Sequence, residues 1–409
     1  MALIIILLIL IAIIRTIVFL RISKLNGSYF HSDTANFAMF LLIKYIPLML
    51  TIKSYDSRIE AVYLFALILA VGTITSYFGY VLGRKINICG LSLPAQNTSI
   101  IRYKNYLVMS MIGMIAAFLI LAHRSLGLYQ WIFNNRVAYI MGRAGNGIWY
   151  ILFELFLIVS ATLILCIADM KKNKKVLFWY AIIFVSAYFT GSKGMILSLG
   201  ILFLINYDLY FKKISRKHLI ILGCLGLLAV VALLWFQSGV SLLQYADYYK
   251  QFINFLDFRI NNDWSYMHGQ IAWEEFFWKL IPRQFYPDKP YIYGQIRLVN
   301  IFFDKASIEA GNTPSLSEFI VPYADFGVFG VGLNFLWGGI VQGFFEKQLR
   351  TNLSQKGGNF NALFLYSLIF IAKPVNFSTI YIVVFMVILY FIQTIKIGFR
   401  VNIKPVNRR

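Results

Sequence analysis

Three groups of residues have the types and spacing for chemistry. The first is cationic. The stretch 123–147, HRSLGLYQWIFNNRVAYIMGRAGNG, carries Arg124, Arg136 and Arg143 and no acid. A guanidinium is a planar fork of donors that grips phosphate oxygens two at a time, and Gly142, Gly145 and Gly147 would let backbone approach such a ligand. The second is the turn TGSKGM at 190–195, where Lys193 stands immediately before an apolar run. Helix N-termini attract anions, and flanking glycines free N–H groups to point at one. The third is acidic and aromatic. WSYMHGQIAWEEFFWKLIPRQFYPDKPYIYG (264–294) supplies His268, Glu274, Glu275, Arg283 and Tyr286, and GNTPSLSEFIVPYADFGVFGVG (311–332) adds Glu318 and Asp325. A carboxylate or an imidazole can take the proton from an attacking hydroxyl. Rings that stack on sugar faces, interleaved with groups that bond hydroxyls, suit a carbohydrate. Each group also has a plainer reading. Arginines near an interface reach lipid phosphates, Lys193 fits a tight interhelical turn, and the third group fits a folded cap held by its own ion pairs.

The elements that must position these residues are membrane spans. The 409 residues are 59% hydrophobic and 17% aromatic, and only 13% are charged; the mean hydropathy is +0.70. A soluble domain carries about 25% charged residues and cannot hide this much apolar surface. That excludes a soluble enzyme, a disordered chain and a disulfide scaffold. A spanning helix needs roughly 20 apolar residues. This template predicts an all-α polytopic protein of about eleven spans: 2–20, 34–52, 60–82, 106–122, 148–168, 176–190, 195–210, 219–238, 322–345, 360–372 and 377–395. The first lacks a basic start and a small-residue cleavage site, so it reads as a retained helix rather than a signal peptide.

Orientation follows from the cations. Lys171, Lys172, Lys174 and Lys175 precede one span, and Lys212, Lys213, Arg216 and Lys217 follow the next. Cationic loops stay cytoplasmic, so the turn bearing Lys193 lies outside, as do the amino terminus and the two large loops 123–147 and 239–321. The carboxyl terminus lies inside. Much of the net charge of +21 is then a topology signal rather than a sign of nucleic acid. The chain divides into spans 1–8 with the arginine loop (1–238), the large outer loop with amphipathic helices (239–321), and the last three spans with a basic tail (322–409). In 241–260, Tyr245, Tyr248, Tyr249, Phe252, Phe255 and Phe258 recur at helical spacing, which predicts a helix lying in the interface as anchor and lid. Charges within the expected spans include Arg15, Lys44, Glu154 and Asp325. Glu154 and Asp325 carry the functional expectation that attaches to such acids. Arg15 is expected to snorkel to the inner surface, and Lys44 has no evident partner in sequence. Cys89, Cys166 and Cys224 show no ligand spacing, and neither a nucleotide-binding glycine motif nor HExxH occurs.

These residues resemble a known family. GSKG lies between two central spans, P-R-x-x-Y-P-x-K-P in the large outer loop (Pro282, Arg283, Tyr286, Pro287, Lys289, Pro290), and S-E-F (317–319) with D-F-G-x-x-G (325–330) after it. Together they are similar to the Wzy-type O-antigen and oligosaccharide repeat-unit polymerases. Arg136 with Gly147, and Arg283 with Gly294, match the arginine–glycine spacing of that family's outer loops. The resemblance implies a GT-C-like, metal-independent glycosyltransferase with no cofactor, in the bacterial inner membrane, its active site facing the periplasm. It would move a growing glycan from undecaprenyl pyrophosphate onto the next lipid-linked repeat unit, for lipopolysaccharide or capsule. Membrane lipids and a chain-length regulator are the partners implied, and no nucleic acid. In that reading Arg124, Arg136, Arg143, Lys193 and Arg283 bind pyrophosphate, Glu274, Glu275 and Tyr286 bind sugar, and His268, Glu318 or Asp325 is the base. An O-antigen ligase shares the leaving group and the outer arginines. A lipid-linked oligosaccharide flippase would need more charge inside its spans.

Overall fold

The computed structural model describes residues 2–52, 57–86, 100–142, 146–171, 174–191, 193–211, 214–215, 217, 221, 249–281, 286–302 and 317–353. Every regular element among them is helical. In chain order they are α1 (Ala2–Asn26), α2 (Ser32–Ala38), a π-helical segment (Met39–Tyr45), α3 (Ile46–Thr51), α4 (Ile59–Lys85), α5 (Ile100–Arg124), α6 (Leu128–Phe133), α7 (Asn135–Gly142) and α8 (Gly147–Lys171). A 3-10 turn (Lys174–Trp179), α9 (Tyr180–Tyr188), α10 (Lys193–Tyr210), α11 (Lys250–Asn262), α12 (Gln270–Leu280), α13 (Gln295–Phe302) and α14 (Ile320–Leu353) follow. Five stretches are long and apolar enough to cross a membrane: Leu3–Asn26, Ile59–Lys85, Tyr103–Arg124, Gly147–Asp169 and Ile320–Thr351. Lys175–Tyr188 and Ser198–Leu209 are shorter apolar helices. The expected spans at 219–238, 360–372 and 377–395 lie outside the described residues.

The surfaces of these helices fit a bilayer. α1 buries Ile4, Leu8 and Ile11 on one stripe and exposes Leu3, Ile6, Leu10, Ile13 and Ile17 on the others. α5 exposes Ile112, Ile115 and Leu119, and α14 exposes Phe329, Leu333 and Trp337, again at helical spacing. Apolar stripes this long are untenable in water and ordinary against lipid. The expected helix over 34–52 runs unbroken from Ser32 to Thr51, with α-helical backbone at both junctions, but it is not regular throughout. Pro47, in the first turn of α3, has no N–H to offer the carbonyl four residues back. The turns before it widen to π, which places Lys44 in the widened segment.

α4 and α14 run parallel and in backbone contact. Gly79 and Gly83 face the carbonyls of Leu336 and Ile340, while Gly339 and Gly343 face those of Ser76 and Tyr80. A Cβ at any of the four would penetrate a facing carbonyl oxygen. Two G-x-x-x-G pairs therefore interlock, as small residues do where lipid offers helices no hydrophobic drive to associate. α5 and α8 pack antiparallel, with Ser110 bonded to Ser160 at 2.8 Å and Gly113 against the Phe156 ring. α8 is the most buried of the five long apolar helices.

One end of the bundle holds a buried polar network. Arg15 donates two bonds to Asp33, at 2.8 and 2.6 Å, and is itself only 8% exposed. It does not snorkel; its partner 18 residues on gives it a reason to stay inside. Ser32 N–H donates to Glu346 at 3.0 Å, Arg350 donates to Glu346 at 2.8 Å, and Arg350 also reaches the carbonyls of Asn26 and Phe30. Ser28 donates to Asp208 at the end of α10. Together these bonds join the ends of α1, α10 and α14 to the start of α2.

His31 sits within this network, fully buried. The Asp33 N–H donates to its Nδ1 at 3.2 Å, so the ring proton is on Nε2, which faces the Ser23 hydroxyl at 2.9 Å. Burial holds its pKa down to about 4, against opposing pulls from Asp33 and Glu346; Arg350 and Arg15 reinforce the depression. Between pH 6.5 and 4 the unfolded chain therefore binds more protons than the folded one. Stability is fully present above that window and falls as the pH drops through it, by roughly 3 kcal/mol at about 1.4 kcal/mol per unit. Melting curves of wild type and His31→Gln at pH 7.5 and 4.5 check this. The variant should lose less stability across the interval, and an equally steep loss would contradict the assignment.

Candidate functional site

The opposite end of the bundle is covered by α11, α12 and α13, and its organising feature is a break in α14. Phe326 leaves helical geometry, and Gly327 has φ 64° and ψ −150°, a combination open essentially to glycine alone. The broken turn frees two carbonyls, and the cap uses them: Met267 N–H donates to Ala324 O and His268 N–H to Asp325 O, each at 3.0 Å. The Asp325 side chain, 1% exposed, accepts the N–H groups of Ile271 and Ala272 at 3.0 and 2.9 Å. These are orphan donors at the start of α12, whose own N-cap, Gly269, has no side chain to satisfy them. Asp325 is thus a helix cap supplied from another helix. Asp325→Ala should cost about 1–2 kcal/mol, the usual loss at such a position, and Asp325→Asn should recover only part of it, because its single amide oxygen can accept just one of the two N–H groups, as thermal melts will show.

Further contacts hold the cap together and tie it to the bundle. Glu274 on α12 pairs with Arg297 on α13 at 2.8 Å and accepts the Gly294 N–H at 2.9 Å and the Gln270 amide at 2.9 Å. Gly294 lies close against Glu275, where a Cβ would fall 2.9 Å from the Glu275 Cβ. The glycine of the Arg283–Gly294 pair therefore seats these two carboxylates, and Glu275 itself is buried. Arg259 lies 3.8 Å over the Tyr266 ring and donates to the Tyr323 hydroxyl at 2.6 Å, stapling α11 to α14. Lys44, from the π-helical segment, pairs with Glu318 and lies 5.6 Å over the Tyr249 ring. Burial, with the Glu318 charge adding, holds the Tyr249 hydroxyl well above the usual tyrosine range.

His268 is exposed and has φ 49°, a strained value for a residue with a side chain. Tyr286 is exposed, with its ring 5.7 Å from Trp278. The aromatic helix expected in the interface is α11. Its Phe252 and Phe255 are buried in the same core cluster as α4 residues rather than presented to lipid, because Ser57 and Arg58, just before α4, bond Asn254 and Asp257 and hold it there.

The cationic residues form a second group at the same end. α10 reaches the polar network through Asp208, so its other terminus, with Lys193, belongs to the cap end. Gly191, at φ 62°, lies so close to Tyr139 of α7 that no Cβ fits between them. The arginine loop and the lysine turn, remote in sequence, are thus packed together. Tyr150 joins them further, with its hydroxyl 2.8 Å from Glu154 and 2.9 Å from the Thr190 carbonyl. Buried Trp131 anchors the loop by donating to Ser125 at 2.9 Å. Arg124 is exposed, 5.9 Å over the Trp149 ring. α7 carries Arg136. The α8 terminus at Gly147 has open space beside it, whereas Gly142 packs against Ser125 and Trp131, 3.2 Å from where its Cβ would be. Arg143 and Arg283 lie outside the described residues. Among the described residues no three His, Cys, Asp or Glu side chains group as metal ligands.

Lipid-facing apolar helices under a polar, aromatic cap define a polytopic helical membrane protein. Its similarity to characterised proteins is more particular. The chain is 24% identical over 300 residues to the O-antigen polymerase of Salmonella typhimurium, covering 70% of this chain and 71% of the relative. It is equally similar to the O-antigen polymerase of Salmonella typhi. These homologues support the Wzy-type resemblance carried by the outer-loop motifs. No protein-family model matches the chain, and no solved structure does.

Proposed function

We propose that the protein is a polysaccharide polymerase of O-antigen or capsule synthesis, a GT-C-like enzyme of about eleven spans in the bacterial inner membrane. It transfers a growing glycan from undecaprenyl pyrophosphate onto a lipid-linked repeat unit at the periplasmic face, and a chain-length regulator is its partner. The observation that carries this reading is the likeness to two O-antigen polymerases over most of the chain. The grouping of the arginine loop and lysine turn at the end covered by the carboxylate-bearing cap agrees with it.

The chemistry follows from the leaving group. As the anomeric bond breaks, negative charge builds on phosphate oxygens. Preorganised cations stabilise that charge without a metal. Arg124, Arg136, Arg143, Lys193 and Arg283 take this role. Glu274, Glu275 and Tyr286 line the sugar side. The base is drawn from His268, Glu318 and Asp325, with Asp325 also serving to seat α12. In a strain lacking the gene, lipid A–core should carry single repeat units. Unattached lipid-linked polymer would instead indicate a ligase, and absence of both a flippase. Complementing with Arg136→Ala or Arg283→Ala should shorten or abolish the polymer ladder. Unchanged length and yield in both variants would refute the pyrophosphate assignment.

A further inference from the structure

We propose that Glu318 is the base of the transfer and that Lys44 is its positioning residue. The inference rests on the polymerase reading and narrows it to one carboxylate. A base must be oriented and reachable. Asp325 is oriented but 1% exposed, with its oxygens on two backbone N–H groups. His268 is exposed, and among the described residues its ring has no hydrogen-bond partner to orient it. Glu318 meets both demands. Its side chain keeps 32% of its surface open, while Lys44 is 18% exposed. The turn that carries it is fixed by the Ser317 hydroxyl accepting the Phe319 N–H at 3.2 Å, and by Phe319 stacked between Phe252 and Phe335.

Lys44 is the less expected partner. An ammonium in an apolar span is costly unless something holds it. This one lies in the widened π segment, which shifts helical register by a residue as such bulges do at functional sites. The Tyr249 ring beneath Nζ gives the ammonium a second attraction. A charge fixed there holds the carboxylate aimed. In the reaction, the acceptor hydroxyl oxygen bonds to the anomeric carbon of the donor glycan, and its proton passes to Glu318. The anomeric carbon–oxygen bond to phosphate breaks, its electron pair leaves with the lipid diphosphate, and Glu318 returns the proton to water.

The test uses the full chain in liposomes with lipid-linked repeat units, reading polymer formed per unit time. Glu318→Gln and Lys44→Met should each lower kcat about 100-fold or more, the usual weight of a general base, with KM little changed, and Lys44→Arg should restore much of the loss. The exchange Lys44→Glu with Glu318→Lys rebuilds the ion pair but removes the carboxylate from the site. Its melting temperature should recover while turnover does not. If turnover recovers too, the pair is only a clasp between span and cap, and the proposal fails. If the wild type polymerises and Glu318→Gln matches it, this inference fails alone. If the wild type makes no polymer, the polymerase reading fails with it.

Discussion

Gly83→Leu or Gly343→Leu will remove most of the folded protein from detergent extracts. At these positions α4 and α14 touch backbone to backbone, so a side chain has no rotamer that avoids the facing carbonyl of Ile340 or Tyr80. Overpacking a core that can adjust costs about 1–3 kcal/mol. Here the obstacle is a helix backbone, and relief requires α4 and α14 to separate along their whole seam. That seam also carries the start of α14, with Glu318 in the turn before it and the break at Gly327 within it, so activity should vanish with folding. Gly332→Ala is the control. Its Cβ would meet Val71 at 3.5 Å, an ordinary contact, and alanine is the better helix former. Size-exclusion profiles of the variants decide the matter. Monodisperse, wild-type-like yields of Gly83→Leu and Gly343→Leu would show that the seam is looser than described.

Arg15→Ala and Asp33→Ala should each destabilise by about 3–5 kcal/mol, because either strands a buried charge. The side chains are 10% and 6% exposed and bond in a two-pronged geometry, so neither orphan can find water without moving a helix. The Arg15→Met, Asp33→Leu double variant should cost much less than the sum, since it removes both charges from the same place. A thermal double-mutant cycle measures the difference. Additive losses would mean that each residue is held by something other than its partner.

Much of the architecture is legible from composition alone. The expected spans at 60–82, 106–122, 148–168 and 322–345 correspond to α4, α5, α8 and α14, each a few residues longer at the ends. Hydrocarbon thickness sets those lengths, and it acts on each segment independently of every other. The π segment is the exception, and Pro47 was its visible cause. The candidate site was legible in its residue types and in part of its grouping. His268, Glu274, Glu275 and Asp325 do gather around one helix break, within a single run of the chain. The G-x-x-x-G pairs at 79–83 and 339–343 are plain in the sequence, but nothing in either span names the other as its partner.

Periodicity, charge bias and short motifs are local, so the chain's own residues decided that it is helical, apolar on its outer faces and cationic in particular loops. Pairing between distant segments was decided only by folding. Lys44 meets Glu318 across 274 positions and Asp325 caps a helix 53 or 54 positions earlier. Arg15 stays buried because Asp33 waits beside it. A charge inside a membrane reads as costly from sequence, and only the packed structure shows which neighbour makes it tolerable.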